Sequence, residues 1–151
     1  MRRRYRQRGR ATASIRTDGL PMWLRDPVLR VLNDLQDGAP AAGTLEVRFE
    51  PAEGTGRLAM VFVSLSSGGQ TVDGFGVGID GSSRGEDLLV ELADRIQTHF
   101  ADPAAPSTPR PRCPGHNHPM VARLVAGEAW WTCPATGQRV RRIGADGPVP
   151  R

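Results

Sequence analysis

The sequence contains no lysine; all 20 of its basic residues are arginine. Alanine, glycine and proline are abundant beside them, a bias that a GC-rich genome produces unaided, so the arginines alone are weak grounds for a nucleic-acid function. Long apolar runs are also missing. The longest, Leu58 to Val63, has the length of a strand and falls far short of the roughly 18 residues a membrane span requires. No apolar segment follows the arginine-rich start, because Ala11 to Asp18 is small and polar. That argues against a secretory or twin-arginine signal and leads us to expect a soluble, cytoplasmic protein. Cysteine is limited to two residues, which in that setting are expected to be metal ligands or free thiols before a disulfide. With 151 residues, two large domains are excluded.

The net charge of +4 hides an uneven distribution. Residues 1–10 carry six arginines and no acid; residues 11–105 carry seven arginines against fourteen acids; residues 106–151 carry seven against two. An acidic body is thus flanked by basic ends. Such ends can bind nucleic acid or an anionic membrane surface, or fold back on the body, but blocks of like charge are most often solvated tails.

The pattern along the chain predicts an α+β fold: helix, three-stranded mainly antiparallel sheet, helix, then a small β module. Asp26-Pro27 reads as an N-cap acid followed by proline at the first helical position. Leu24, Val28, Leu32 and Leu35 then share one face up to about Gln36, with Gly38 as the stop. Leu45 to Glu50 alternates apolar and charged residues, as a strand with one wet face does. Leu58 to Leu65 is apolar on both alternations and reads as a central strand covered on both faces. Val72 to Ile79 sets Phe75, Val77 and Ile79 on one face and Gly74, Gly76 and Gly78 on the other, so one face is bare and something can approach the backbone closely. The glycine spacing does not fit a dinucleotide fingerprint. Ser83-Arg84-Gly85-Glu86 has capping-box spacing ahead of Leu88, Leu92, Ile96 and Phe100, a second helix. His99, in its last turn, is expected to be structural. The expected organisation is an arginine-rich disordered arm (1–17), an α+β core (18–102), a proline-rich linker (103–112), the β module (113–144) and a tail (145–151).

The chemistry lies in that module. Cys113-Pro114-Gly115-His116-Asn117-His118-Pro119 and Trp131-Thr132-Cys133-Pro134-Ala135-Thr136-Gly137 each contain a Cys-Pro-x-x turn, which aims backbone N–H groups at the sulfur and favours the zinc-binding thiolate. Val121 to Val125 and Ala129 to Thr132 flank Ala126-Gly127-Glu128 as a hairpin, and Arg139 to Ile143 can add a third strand. Residues 113–143 resemble a single-site zinc ribbon. The sequence departs from that pattern at two positions, with His116 in place of the second cysteine of the first knuckle and Thr136 in place of that of the second. The ligand count therefore closes on zinc as Cys113, His116, His118 and Cys133, and without His118 a water would complete the site, as in catalytic zinc. The whole chain is similar to small actinobacterial α+β proteins with a C-terminal Cys/His knuckle, which supports the module boundaries and implies no activity.

No catalytic residue is assigned. Trp130 and Trp131 are adjacent and so face opposite sides of a strand; with Arg139, Arg141 and Arg142 they are candidates for partner or nucleic-acid contact. The leading expectation is a non-enzymatic accessory or adaptor protein that binds a protein partner and carries a structural zinc. A nucleic-acid-binding regulator is the alternative, and a zinc enzyme a distant third.

Overall fold

The computed structural model describes residues 14–36, 43–100 and 110–145. Gly38, most of the proline-rich linker, the tail beyond Ala145 and the arm up to Ala13 lie outside the described residues. The elements run β1 (Ser14–Arg16), α1 (Met22–Gln36), β2 (Thr44–Glu50), β3 (Leu58–Ser67), β4 (Gln70–Asp80), α2 (Gly85–Gln97), a 3₁₀ turn (Thr98–Phe100), β5 (Val121–Val125), β6 (Glu128–Thr132) and β7 (Arg139–Arg142). They form one four-stranded sheet, β1-β2-β3-β4, and one three-stranded sheet, β5-β6-β7.

The first sheet has one strand more than expected. Ser14–Arg16, read from the sequence as part of a disordered arm, lies parallel to β2 with Ile15 opposite Leu45. Three residues carry too little pattern to be read as a strand, and it is the neighbouring edge that orders them. The other pairs are antiparallel, with Val47 opposite Val63 and Val61 opposite Val77.

Helix α1 begins at Met22, four residues before the expected cap, and Pro27 lies inside it. Proline there forgoes one helical hydrogen bond. In exchange the extra turn buries Leu24 completely and lays Trp23 edge-on against Phe49, ring centroids 5.5 Å apart. Asp26 does not cap; it pairs with Arg30 at 2.9 Å. The capping box of α2 is likewise not formed, since Arg84 is the N-cap and makes no side-chain cap bond. Ser83 instead donates to Glu91, and Glu86 is drawn to the module by charge-assisted bonds stronger than a cap. His99 stacks on Phe75, centroids 4.4 Å apart, as a structural histidine.

Strand β3 corrects a second expectation. Ala59, Val61 and Val63 are buried against the helices, but its other face is not covered: Leu58 is 66% exposed, and Met60 and Phe62 are half-buried. Cross-strand pairing explains why that apolar face is tolerated. Phe62 lies opposite Gly76 and Met60 opposite Gly78, so β3 side chains lean over the glycine floor of β4. A Cβ on Gly76 would sit 2.9 Å from the Phe62 ring.

The second sheet shares its core with the first. Met120, Ala129, Trp131, Cys133 and Ile143 belong to the same buried cluster as Leu24, Val61 and Leu92. Three polar residues of the helices hold the seam. Asp34 accepts Trp131 Nε1–H at 2.8 Å and Gly144 N–H at 2.7 Å. Glu86 accepts Ala129 N–H at 2.6 Å and pairs with Arg142 at 2.9 Å, while Gln97 donates to the carbonyls of Arg110 and Met120.

Candidate metal centre

The first knuckle is a tight turn with proline second and glycine third. Gly115 adopts φ +75°, a value type II turns require at that position, and His116 N–H closes the turn on Cys113 C=O at 3.1 Å. Cys113 N–H then bonds His118 C=O at 3.2 Å, folding the histidines back over the cysteine. In the second knuckle Gly137 at φ +72° brings its N–H onto Cys133 C=O at 2.7 Å. Cys133 follows directly on β6, so its sulfur is fixed to the strand that carries Trp131.

These turns bring together the four residues singled out from the sequence. One ligand atom from each of Cys113, His116, His118 and Cys133 lies within 4.8 Å of all the others, a cluster able to hold a metal ion. His116 Nδ1 is 3.4 Å from both sulfurs, and His118 Nε2 is 3.9 Å from Cys133 Sγ. Around a tetrahedral zinc with bonds of about 2.3 Å to sulfur and about 2.1 Å to nitrogen, sulfur and nitrogen ligands sit about 3.5 Å apart. The two His116 distances match that spacing, and the His118 contact is longer. The second ring nitrogen of His118 also fits, because Nδ1 lies 3.2 Å from Pro119 C=O. A proton held there leaves the Nε2 lone pair free for a metal, the usual outer support of a ligating histidine. The two sulfurs are buried, His118 is half-buried and His116 is exposed, so the site has an inner sulfur side and an outer imidazole side.

The sulfurs differ electrostatically. Burial pushes the Cys113 thiol up, and its neighbour Cys133 adds to the effect. The Cys133 thiol is lowered from 9.0 to about 6, chiefly by the Thr136 side chain, with the backbone N–H groups of Thr136 and Ala135 and the Cys113 thiol also contributing. Thr136 therefore has a role that the ligand count did not suggest. Its side chain hydrogen-bonds the Cys133 sulfur and does not belong to the four-residue cluster. In metal-free protein, Thr136→Ala is expected to move the Cys133 titration up from about 6 toward the ordinary thiol range, read by ultraviolet thiolate absorbance against pH. The folded-state value is depressed, so the stability this thiolate contributes is present above its unfolded value and is lost as pH falls through about 6. An unchanged titration in Thr136→Ala would show that the hydroxyl is not the cause.

The other candidates mostly face inward. Trp131 is fully buried and bonded to Asp34, which removes it as a contact residue. Trp130 is half-buried beneath the Arg139 guanidinium, 5.1 Å from its ring centroid. Arg141 lies 4.0 Å from the Asp34 carboxylate, and Arg142 bridges Glu86 and Glu128 at 2.9 and 2.8 Å. Of the three arginines, Arg139 is the exposed one. Asp34 and Gln97, which hold β6 and the segment ahead of β5, carry no sequence signal because an isolated polar residue on a helix looks like solvent-facing surface, and Glu86, expected in a capping box, instead holds β6 and β7. Asp34 recurs near the apolar stripe of α1, a faint sign that it is buried.

Compared with known protein families, curated proteins and solved structures, the chain matches none. Among the described residues no helix is long and apolar enough to cross a membrane.

Proposed function

We propose that the protein is a non-enzymatic adaptor whose C-terminal module is built around one structural zinc ion and whose α+β body engages a protein partner. The observation that carries the zinc is the four-residue cluster with its ligand atoms within 4.8 Å of one another. Two cysteines and two histidines suit zinc's preference for sulfur and nitrogen donors, and four protein ligands complete a tetrahedral ion, leaving no position for a substrate. A structural role is further supported by the position of the cluster, one residue beyond the strand that carries the buried Trp131. Cytoplasmic residence suits the pair of free thiols.

The protein-partner half draws on the open apolar face of the first sheet, Leu58, Met60 and Phe62, in an acidic body. It is favoured over nucleic-acid binding because Trp131, Arg141 and Arg142 make internal contacts. Native mass spectrometry of reduced protein is expected to give one zinc per chain, and substoichiometric zinc would overturn the structural-zinc reading. Titration with duplex and single-stranded DNA is expected to show no binding. Affinity that falls linearly in log-log form with salt would replace the adaptor by a nucleic-acid regulator.

A further inference from the structure

Strand β4 is the outer strand of the first sheet, so alternate residues present their N–H and C=O groups to no neighbouring strand. Hydrogen bonds identify which. Gly81 N–H bonds Arg57 C=O at the start of β3, at 2.7 Å, so odd positions face inward. Even positions face out, and at both ends their N–H groups are already blocked by carboxylates: Asp80 N–H by Glu91 at 2.7 Å and Gly74 N–H by Asp73 at 2.8 Å. Between them, Gly76 and Gly78 have no such partner among the described residues. The strand Gln70–Asp80 contains no proline, lysine or arginine of the kind that closes an edge.

The Asp80 end of this gap opens on a cavity of about 290 Å³ lined by Arg57, Leu58, Gly78, Ile79, Asp80, Glu91 and Arg95. Its charges are unevenly committed. Glu91 is held by Asp80 N–H and Ser83 Oγ, and Asp80 by the N–H and hydroxyl of Ser82. Arg57 and Arg95 are exposed and form no side-chain hydrogen bond or ion pair of contact distance among the described residues, although the Arg57 charge helps to lower the Asp80 carboxyl. Two exposed guanidinium groups, Arg57 also within the field of Asp80, therefore line the same cavity as Gly78 and exposed Leu58.

We infer that this edge is a docking site for an extended, acidic peptide segment of another protein, which pairs its backbone with Gly76 and Gly78 and places a carboxylate against Arg57 and Arg95. The absence of side chains on the two glycines gives a strand laid beside β4 room to reach Phe62 and Met60. β-Strand addition of this kind takes its affinity from backbone bonds and its selectivity from flanking pockets. The inference rests on the adaptor reading and names the class of partner.

The test uses the full-length zinc-loaded protein, isotope-labelled for NMR, and two blocked octapeptides, Ser-Thr-Val-Thr-Val-Thr-Asp-Glu and its reverse. Versions with two lysines in place of the acids serve as controls. One acidic peptide is expected to shift the Gly76 and Gly78 amides and slow their exchange. N-methylation at alternate peptide nitrogens is expected to abolish this. Arg57→Glu with Arg95→Glu, at two exposed positions, is expected to weaken binding at least tenfold, a loss of about 1.4 kcal/mol, and to move the preference to the lysine version. No shift up to about 1 mM peptide, a shift elsewhere, or equal binding of the lysine control would overturn the proposal. So would Gly76 and Gly78 amides protected in the free protein and released on dilution, which would make a second copy the occupant. Failure of the adaptor reading is seen separately, in zinc content and DNA binding.

Discussion

Cys133→Ser is expected to yield protein without stoichiometric zinc, and Cys113→Ser to do the same. Each removes one of the two sulfurs that His116 Nδ1 approaches at 3.4 Å, and a hydroxyl is a poor zinc ligand at neutral pH. Because structural zinc supplies on the order of 10 kcal/mol to the fold that binds it, the loss will spread beyond the knuckles. Cys133 adjoins the strand that carries fully buried Trp131, and Trp131 packs in the same cluster as the helices. Near-ultraviolet circular dichroism should lose the tryptophan signal, and the melting temperature should fall in both variants. His118→Ala is expected to be milder, because His118 Nε2 lies 3.9 Å from Cys133 Sγ, farther than the 3.4 Å of His116 Nδ1 from either sulfur. Thr136→Cys in that background supplies a fourth sulfur-or-nitrogen ligand beside Cys133 and is expected to recover zinc.

The second large effect is expected at Asp34, far from the metal. Its carboxylate is 7% exposed and accepts two N–H groups from the module, with Arg141 alongside. Asp34→Ala strands the indole and Gly144 donors and removes a carboxylate from beside Arg141. Breaking a buried charged pair from one side costs about 3–5 kcal/mol, which corresponds to a fall in melting temperature of roughly 10 °C for a chain of this size. Asp34→Asn keeps an acceptor oxygen and is expected to cost less than half as much. If thermal unfolding of Asp34→Ala matched the parent, the seam would not depend on this carboxylate.

The cluster able to hold a metal was legible in the sequence because each half of it is local: a Cys-Pro turn with a histidine pair, and a second Cys-Pro turn directly after β6. Periodicity likewise gave α2, β2 and the β5-β6 hairpin. It misjudged the start of α1, where Asp26-Pro27 looks like a cap but burial of Trp23 and Leu24 carries the helix back to Met22. Strand β3 was read as covered on both faces because apolar residues alternate on both, whereas Phe62, Met60 and Leu58 cover glycines of the adjacent strand. The seam was not legible at all. Asp34 and Trp131 are 97 residues apart, and nothing in either local pattern announces the bond between them.

The central claim is that Cys113, His116, His118 and Cys133 together enclose one zinc ion. X-ray absorption at the zinc edge of reduced, purified protein tests it most directly. Two sulfur and two nitrogen neighbours at about 2.3 and about 2.1 Å, with His118→Ala losing one nitrogen, are the expected result. A shell with an oxygen from water already present in the parent protein, or no protein-bound zinc at all, would contradict it.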